Sequence, residues 1–298
     1  MDASVAVSDT QTFIAGHEVL QPARQTLPLV LSSPHSGSRY PSAFLAASRL
    51  DPLMLRRSED SFVDEIFACA PELGAPLLRA LFPRAFVDPN REPYELDPAM
   101  FDAPLPDFAN TRSPRVAAGL GTIARVVANG AEIYRGKLAL SEALERIRHY
   151  YYPYHHNLAE LIDATRRRFG YCILLDCHSM PSTTGSREAG GLQQAADFVL
   201  GDCYGTACAP ALTEAALETL RRAGYRVRRN KPYSGGFVTR HYGRPHEGVH
   251  ALQIEINRAL YMDEAAIRRR SGLRRLAGLM PALLEALAAV DAKDLQAQ

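Results

Sequence analysis

An α/β architecture, with buried strands under covering helices, is what this 298-residue chain encodes, and three observations say so. Residues 171–175 (YCILL) form a short apolar run after the basic Arg166, Arg167, Arg168 and Gly170, the length and setting of a strand buried on both faces. Residues 27–31 (LPLVL) repeat that pattern early in the chain. Between and beyond them lie stretches with apolar residues at helical spacing, such as 141–168 and 209–223. Length alone admits one large domain or two small ones.

Taken in order, residues 1–26 are polar and small, with a strand-like patch at Phe13 and Ile14 and a turn at Gly16, and should form a partly loose segment. The strand 27–31 leads into SSPHSG, a loop of small residues. Over 51–70, Leu53, Leu55, Phe62, Val63, Ile66 and Phe67 recur at helical spacing, and Ser58 can cap the second part. Strand-like segments follow at 76–81 and 85–87, then the turn DPNREP. Residues 94–121, rich in Pro, Asp and Gly, read as a long excursion, a candidate lid of the length at which loops are functional or disordered. The amphipathic helix 141–168 turns Leu144, Ile147, Leu158, Leu161 and Ile162 inward and is offset near Pro153. A polar loop at 181–191, a strand at 198–200, a helix over 209–223 stopped by Gly224, and a strand starting at 225–227 come next. YSGGFVTRHYG at 233–243 reads as a glycine-rich polar loop. Residues 249–256 (VHALQIEI) alternate, with Gln253 and Glu255 on one side, and a closing helix is expected over 264–289.

Bulk properties narrow the function. Net charge is +1, so the chain carries no electrostatic footprint for nucleic acid or an anionic membrane. Five cysteines, an odd number without C-x-x-C spacing, read as reduced packing thiols of a cytosolic protein. The first residues lack the basic start and apolar core of a signal peptide, and no run approaches the ~20 apolar residues of a membrane span. The expected partner is a small molecule, and nothing sets an oligomeric state.

The run 171–175 delivers Asp176, Cys177, His178 and Ser179 just past its end, where open α/β sheets place their ligands. His35 follows 27–31 in the same way. One such histidine reads as a strand cap, but two at the same kind of exit point to a shared metal site, neutral imidazole being the commonest zinc ligand. Such a pair lacks an oxygen ligand, and Glu59, Asp60, Asp64 and Glu65 crowd a helix start, where acids also favour the macrodipole. A catalytic zinc keeps a position open for water and needs a carboxylate to move the proton. Glu255 is the candidate base, or else a solvated acid on an edge strand. Arg84 is a cation for a developing oxyanion, and Asn90 with Arg91 makes a fork suited to a carboxylate. The histidines His155 and His156 lie in a tyrosine-rich helix and read as packing, because adjacent residues on a helix face different ways. This set suits a hydrolase of an acyl-amino acid or peptide.

Together, SSPHSG, FPRAFVDPNREP, LLDCHSM, GGFVTRHYG and ALQIEINRALYM resemble the N-formylglutamate amidohydrolase family over roughly residues 28–262. The resemblance implies a relative of the zinc carboxypeptidases and aspartoacylases: a single α/β/α three-layer domain over 27–298 with a central mixed sheet. It implies one zinc per chain on His35 and His178, with an acid from SEDSFVDE matched by position to Asp60. Glu59 and Asp64 stay open, because the acid that follows the first histidine by three residues in the carboxypeptidase pattern is Ser38 here. It also implies Glu255 as general base, Arg84 at the oxyanion, and Asn90 and Arg91 on the substrate carboxylate. Ser179, Arg240, His241 and Arg258 complete the expected substrate-binding set, and a pocket-facing Arg240 or Arg258 would favour a second carboxylate. A carboxypeptidase-like or other N-acyl amino acid hydrolase is the alternative enzyme. A non-catalytic metabolite-binding protein is the alternative from another class, opposed by Glu255, since binding alone needs no base.

Overall fold

The computed structural model describes residues 16–127, 130–184 and 195–296. Seven strands form one mixed sheet: β1 (His17–Leu20), β2 (Leu29–Ser33), β3 (Leu77–Ala80), β4 (Cys172–Met180), β5 (Phe198–Gly201), β6 (Val227–Arg229) and β7 (Val249–Asn257). Their spatial order is β1-β3-β2-β4-β7-β5-β6. β3, β2, β4 and β7 run parallel, while β1 and β5 are antiparallel to β3 and β7.

The centre of the sheet is the nine-residue pair β4 and β7, buried along its whole length. Alternation sends Ile173, Leu175 and Cys177, with Leu252, Ile254 and Ile256, into one core, where the helices Pro210–Arg222 and Gly272–Ala288 pack. Cys172 and Leu174, with Val249 and Ala251, enter the other, under the helix Tyr152–Phe169. Helices thus cover both faces, the α/β/α layering that the resemblance implies. Each fully buried Leu or Ile contributes roughly 1.5–3 kcal/mol, so the site below stands on the firmest part of the molecule. Among the described residues no helix is long and apolar enough to cross a membrane.

Several elements differ from the sequence expectation. β4 continues to Met180, so His178 lies inside the strand, because β7 pairs with it to the end (Met180 opposite Asn257) and its polar side chains satisfy one another. Residues 51–70 break into Pro52–Arg56, Val63–Ile66 and Ala70–Leu73, and in the first gap the Asp60 N–H donates to the His35 carbonyl at 3.0 Å. Phe62 takes φ 69° there, a left-handed conformation of the kind found at functional sites. Residues 85–87 form a turn on the Pro83 carbonyl instead of a strand, while 237–242, expected as loop, are helical. The closing helix starts only at Gly272; before it β8 (Met262–Asp263) and β9 (Arg268–Arg269) make a hairpin, with the Asp263 carboxylate accepting from the Ala265 and Ala266 N–H. The offset near Pro153 is a π-helical turn, Ile147–Tyr151. The patch at Phe13 and Ile14 and the loop 185–191 lie outside the described residues.

Candidate active site

Strand register gathers the polar groups. Across the central pair, His178 lies opposite Glu255 and Asp176 opposite Gln253, so four polar side chains share one face at the carboxyl end of the sheet. His35 arrives from the turn after β2, Asp60 from the gap in the helical region, and Arg84, Asp88, Asn90 and Arg91 from the turn beyond β3. Gly37 lets the His35 turn lie against this last segment, since a Cβ there would collide with the Phe82 carbonyl.

His35, Asp60 and His178 converge, all buried. Asp60 Oδ2 lies 3.0 Å from His178 Nδ1 and 3.3 Å from His35 Nδ1. The far nitrogen of each ring is held by a second carboxylate: His35 Nε2 donates to Asp88 at 2.7 Å and His178 Nε2 to Asp176 at 2.8 Å. Such outer carboxylates fix ring orientation and leave the Nδ1 lone pairs for a cation. Asp176 is steadied in turn by the Thr239 hydroxyl at 2.9 Å. Asp60 Oδ1 accepts from Arg258 Nη2 at 2.9 Å and from the Ser179 hydroxyl at 3.3 Å, which aims Oδ2 at the histidines.

The competing acids are engaged elsewhere. Glu59 accepts from Arg56, Ser61 and Tyr40, and Asp64 from Arg79. Two imidazoles and one carboxylate suit zinc. Tetrahedral bonds of about 2.1 Å separate ligand atoms by about 3.4 Å, close to the two distances from Asp60 Oδ2, and all three donor atoms lie within 4.8 Å of one another. Burial pushes the Asp60 carboxyl up, but hydrogen bonds from both histidines and the Arg258 charge hold it well below the usual range. Burial disfavours the His178 cation, yet Asp176 and Asp60 outweigh burial and raise its pKa well above the ordinary value. A metal displaces such a proton.

Glu255 is 7% exposed, and burial pushes its carboxyl up to about 7; Asp60 and Asp176 add to the shift while His178 and Arg258 oppose it. Gln253 Nε2 donates to it at 3.0 Å and is itself set by the Gly236 N–H at 2.6 Å. A cavity of about 250 Å³, the size for a small amino-acid derivative, is walled by Arg84, Asp88, Arg91, Arg115, Tyr233 and Arg258 among others. The candidate donors lie behind that wall, His35 bonded to its Asp88 and Asp60 to its Arg258, with His178 bonded to Asp60 in turn.

The sequence model of the N-formylglutamate amidohydrolase family matches residues 27–262, most of the chain and every residue of this site. The chain belongs to that family. It is 36% identical over 254 residues to the N-formylglutamate deformylase of Pseudomonas aeruginosa, covering 84% of this chain and 87% of that one. The enzyme of the same name from Pseudomonas putida is 31% identical, covering 80% and 83%. The crystal structure of N-formylglutamate amidohydrolase from Ralstonia eutropha superposes with a TM-score of 0.87 at 39% identity, over 92% of this chain and 98% of that one.

Within the family range, His35, Asp60, His178, Ser179, Arg84, Asn90, Arg91, Glu255 and Arg258 come together. Arg240 and His241 do not: both are exposed on the helix Phe237–Tyr242, Arg240 donating to the Gly235 carbonyl and His241 stacking on Phe237. Asn90 is engaged beneath the site, where its Oδ1 accepts from the Val238 N–H at 2.8 Å and its amide packs 2.9 Å from His178 Nε2. Arg91 donates to the Leu120 and Asn90 carbonyls. His155 and Tyr151 hold the same turn by donating from Nε2 and the hydroxyl to the Pro89 and Arg91 carbonyls, the packing role expected of that aromatic stripe. Sequence reading missed Asp88, Thr239, Gln253 and Arg115, and the part that Asp176 plays. The D-x-H and Q-x-E spacings, which put both members of each pair on one strand face, carried a signal for two of them.

Gly236 backs directly onto Asn90, and a Cβ there would collide with its amide. Gly236→Ala is therefore expected to destabilise the fold by roughly 1–3 kcal/mol, read as a lower denaturation midpoint. An unchanged midpoint would show that the Asn90 amide moves aside freely.

Proposed function

We propose that this protein is a zinc-dependent N-formylglutamate deformylase, hydrolysing the formamide to formate and glutamate. The observation that carries the reading is the buried His35, Asp60 and His178 donor set with Glu255 opposite His178, in a chain of the N-formylglutamate amidohydrolase family. The three donors would hold the zinc, which when bound supplies a Lewis acid that polarises a carbonyl and acidifies water. Glu255, with its carboxyl near 7, takes a proton from the attacking water at neutral pH. It returns that proton to the amide nitrogen as the carbon–nitrogen bond breaks, so glutamate leaves as the amine. Arg84, anchored on Asp88 through Nε and Nη2 at 3.2 and 2.7 Å, faces the same cavity and places positive charge where the carbonyl oxygen becomes negative. Arg91 serves the α-carboxylate from its buried place in the wall. Arg258 and Ser179 position Asp60.

The test is metal analysis together with a formate-release assay on a panel of N-formyl amino acids. About one zinc per chain and activity on N-formylglutamate are expected; a metal-free protein that is fully active would overturn the zinc reading. A cavity this rich in arginine penalises a substrate that leaves its charges unpaired. N-formylglutamate should exceed N-formylmethionine in kcat/KM by roughly 10²-fold, and equal values would refute recognition of a second carboxylate.

A further inference from the structure

The cavity carries more positive charge than hydrolysis requires. Among the described residues, four guanidinium groups, those of Arg84, Arg91, Arg115 and Arg258, face it against the single carboxylate of Asp88. Three of them are already engaged. Arg84 donates to Asp88, Arg258 to Asp60 and Ser179, and Arg91 to two backbone carbonyls. Arg115 has no side-chain partner among the described residues, and its charge acts on Arg91 in the same wall. Burial, opposed by Asp88 and reinforced by Arg84 and Arg115, lowers the Arg91 guanidinium to about 10. Such a wall is electrostatically incomplete until an anion enters.

We propose that Arg115 is the specificity-determining residue of this site, binding the second, side-chain carboxylate of the substrate while Arg91 takes the first. The assignment rests on the deformylase reading and adds the residue that selects a dicarboxylate. Arg115 lies in the helix Pro114–Ala117, within the excursion 94–121, and that segment is braced. The Ser113 hydroxyl accepts from the Val116 N–H at 3.1 Å, the Val116 side chain is buried, and the Leu120 N–H donates to the Arg115 carbonyl at 2.8 Å. The Leu120 carbonyl in turn accepts from Arg91 Nε at 2.8 Å, so the two guanidinium groups are set by one connected piece of backbone. A planar fork whose donors have no partner among the described residues is the group suited to bidentate capture of a carboxylate. No bond is made or broken at Arg115; its effect is on which substrate is held.

The experiment compares wild-type holoenzyme with Arg115→Met, Arg115→Lys and Arg115→Glu on N-formylglutamate, N-formylnorleucine and Nα-formyl-lysine. Arg115 is exposed, so these variants keep the fold. Arg115→Met should lower kcat/KM for N-formylglutamate by roughly 10- to 100-fold, chiefly through KM, and leave N-formylnorleucine within about twofold. Arg115→Lys should recover part of the loss, and Arg115→Glu should shift preference toward Nα-formyl-lysine, which a merely structural role would not do. An unchanged N-formylglutamate to N-formylnorleucine ratio in Arg115→Met, with the wild type active, overturns the assignment alone. A wild type inactive on every N-formyl amino acid overturns the deformylase reading and this assignment with it.

Discussion

His178→Ala is expected to lose both bound zinc and formate release, with turnover at least about 10³-fold below wild type. The ring contributes one of three converging donors, and its removal leaves the Asp60 and Asp176 carboxylates facing a gap, each buried and short of a partner. An unpaired buried carboxylate costs several kcal/mol unless it takes up a proton, so the variant should also be less stable. The direction with pH follows from the raised His178 pKa in the metal-free protein. Protonated His178 contributes stability that is fully present below the unfolded value near 6.5 and lost as pH rises through the folded one. The metal-free variant should therefore lag wild type most at acid and neutral pH. Zinc added to the metal-free wild type should raise Tm by binding linkage, and in His178→Ala the shift should vanish. Full zinc occupancy in the variant would remove His178 from the ligand set.

Glu255→Gln separates chemistry from binding. The amide keeps the size of the side chain and an acceptor for Gln253 Nε2, but it cannot take a proton, so turnover should fall about 10²- to 10⁴-fold while zinc content and KM stay near wild type. Stability should move the other way. The folded carboxyl lies near 7 against about 4.3 when unfolded. Its protonated form favours the fold at acid pH, and that contribution is lost as pH rises through about 7, where ionised Glu255 becomes a buried charge. Glutamine never ionises. In zinc-free protein, Glu255→Gln should gain on wild type between about pH 4.3 and 7 and hold a lead on the order of 1–3 kcal/mol above that. Denaturation midpoints measured at pH 5 and pH 8 give the answer, and a variant with near-normal turnover would exclude Glu255 as the base.

The parts of the site written within one strand or one turn were legible in the sequence. His35 and His178 announced themselves by following apolar runs, and Glu255 by standing in an alternating one. What decided the rest was pairing between distant segments. Asp60 stands out from Glu59 and Asp64 only because Arg56, Ser61, Tyr40 and Arg79 occupy the other two acids. The end of β4 was misplaced for a related reason: polarity suggested an exit, but β7 carries the ladder through His178 and turns the polar side chains to one another. The arginines show the limit most plainly. Arg240 and Arg258 lie near the right motifs, yet one points to solvent and the other holds Asp60, while the guanidinium in the wall without a partner among the described residues belongs to Arg115, in a stretch whose composition marks only a long loop.

That placement divides the molecule's labour. The donor set and the base ride on the sheet and on the turns that abut it, whereas Arg115 rides on an excursion braced by Ser113, Val116 and Leu120, which contributes no donor to His35, Asp60 or His178. Mutational drift or laboratory exchange of that excursion can retune substrate choice without dismantling the hydrolytic centre. The scaffold is thus modular: a lineage could acquire a new acyl-amino acid by rewriting the excursion while inheriting its chemistry intact.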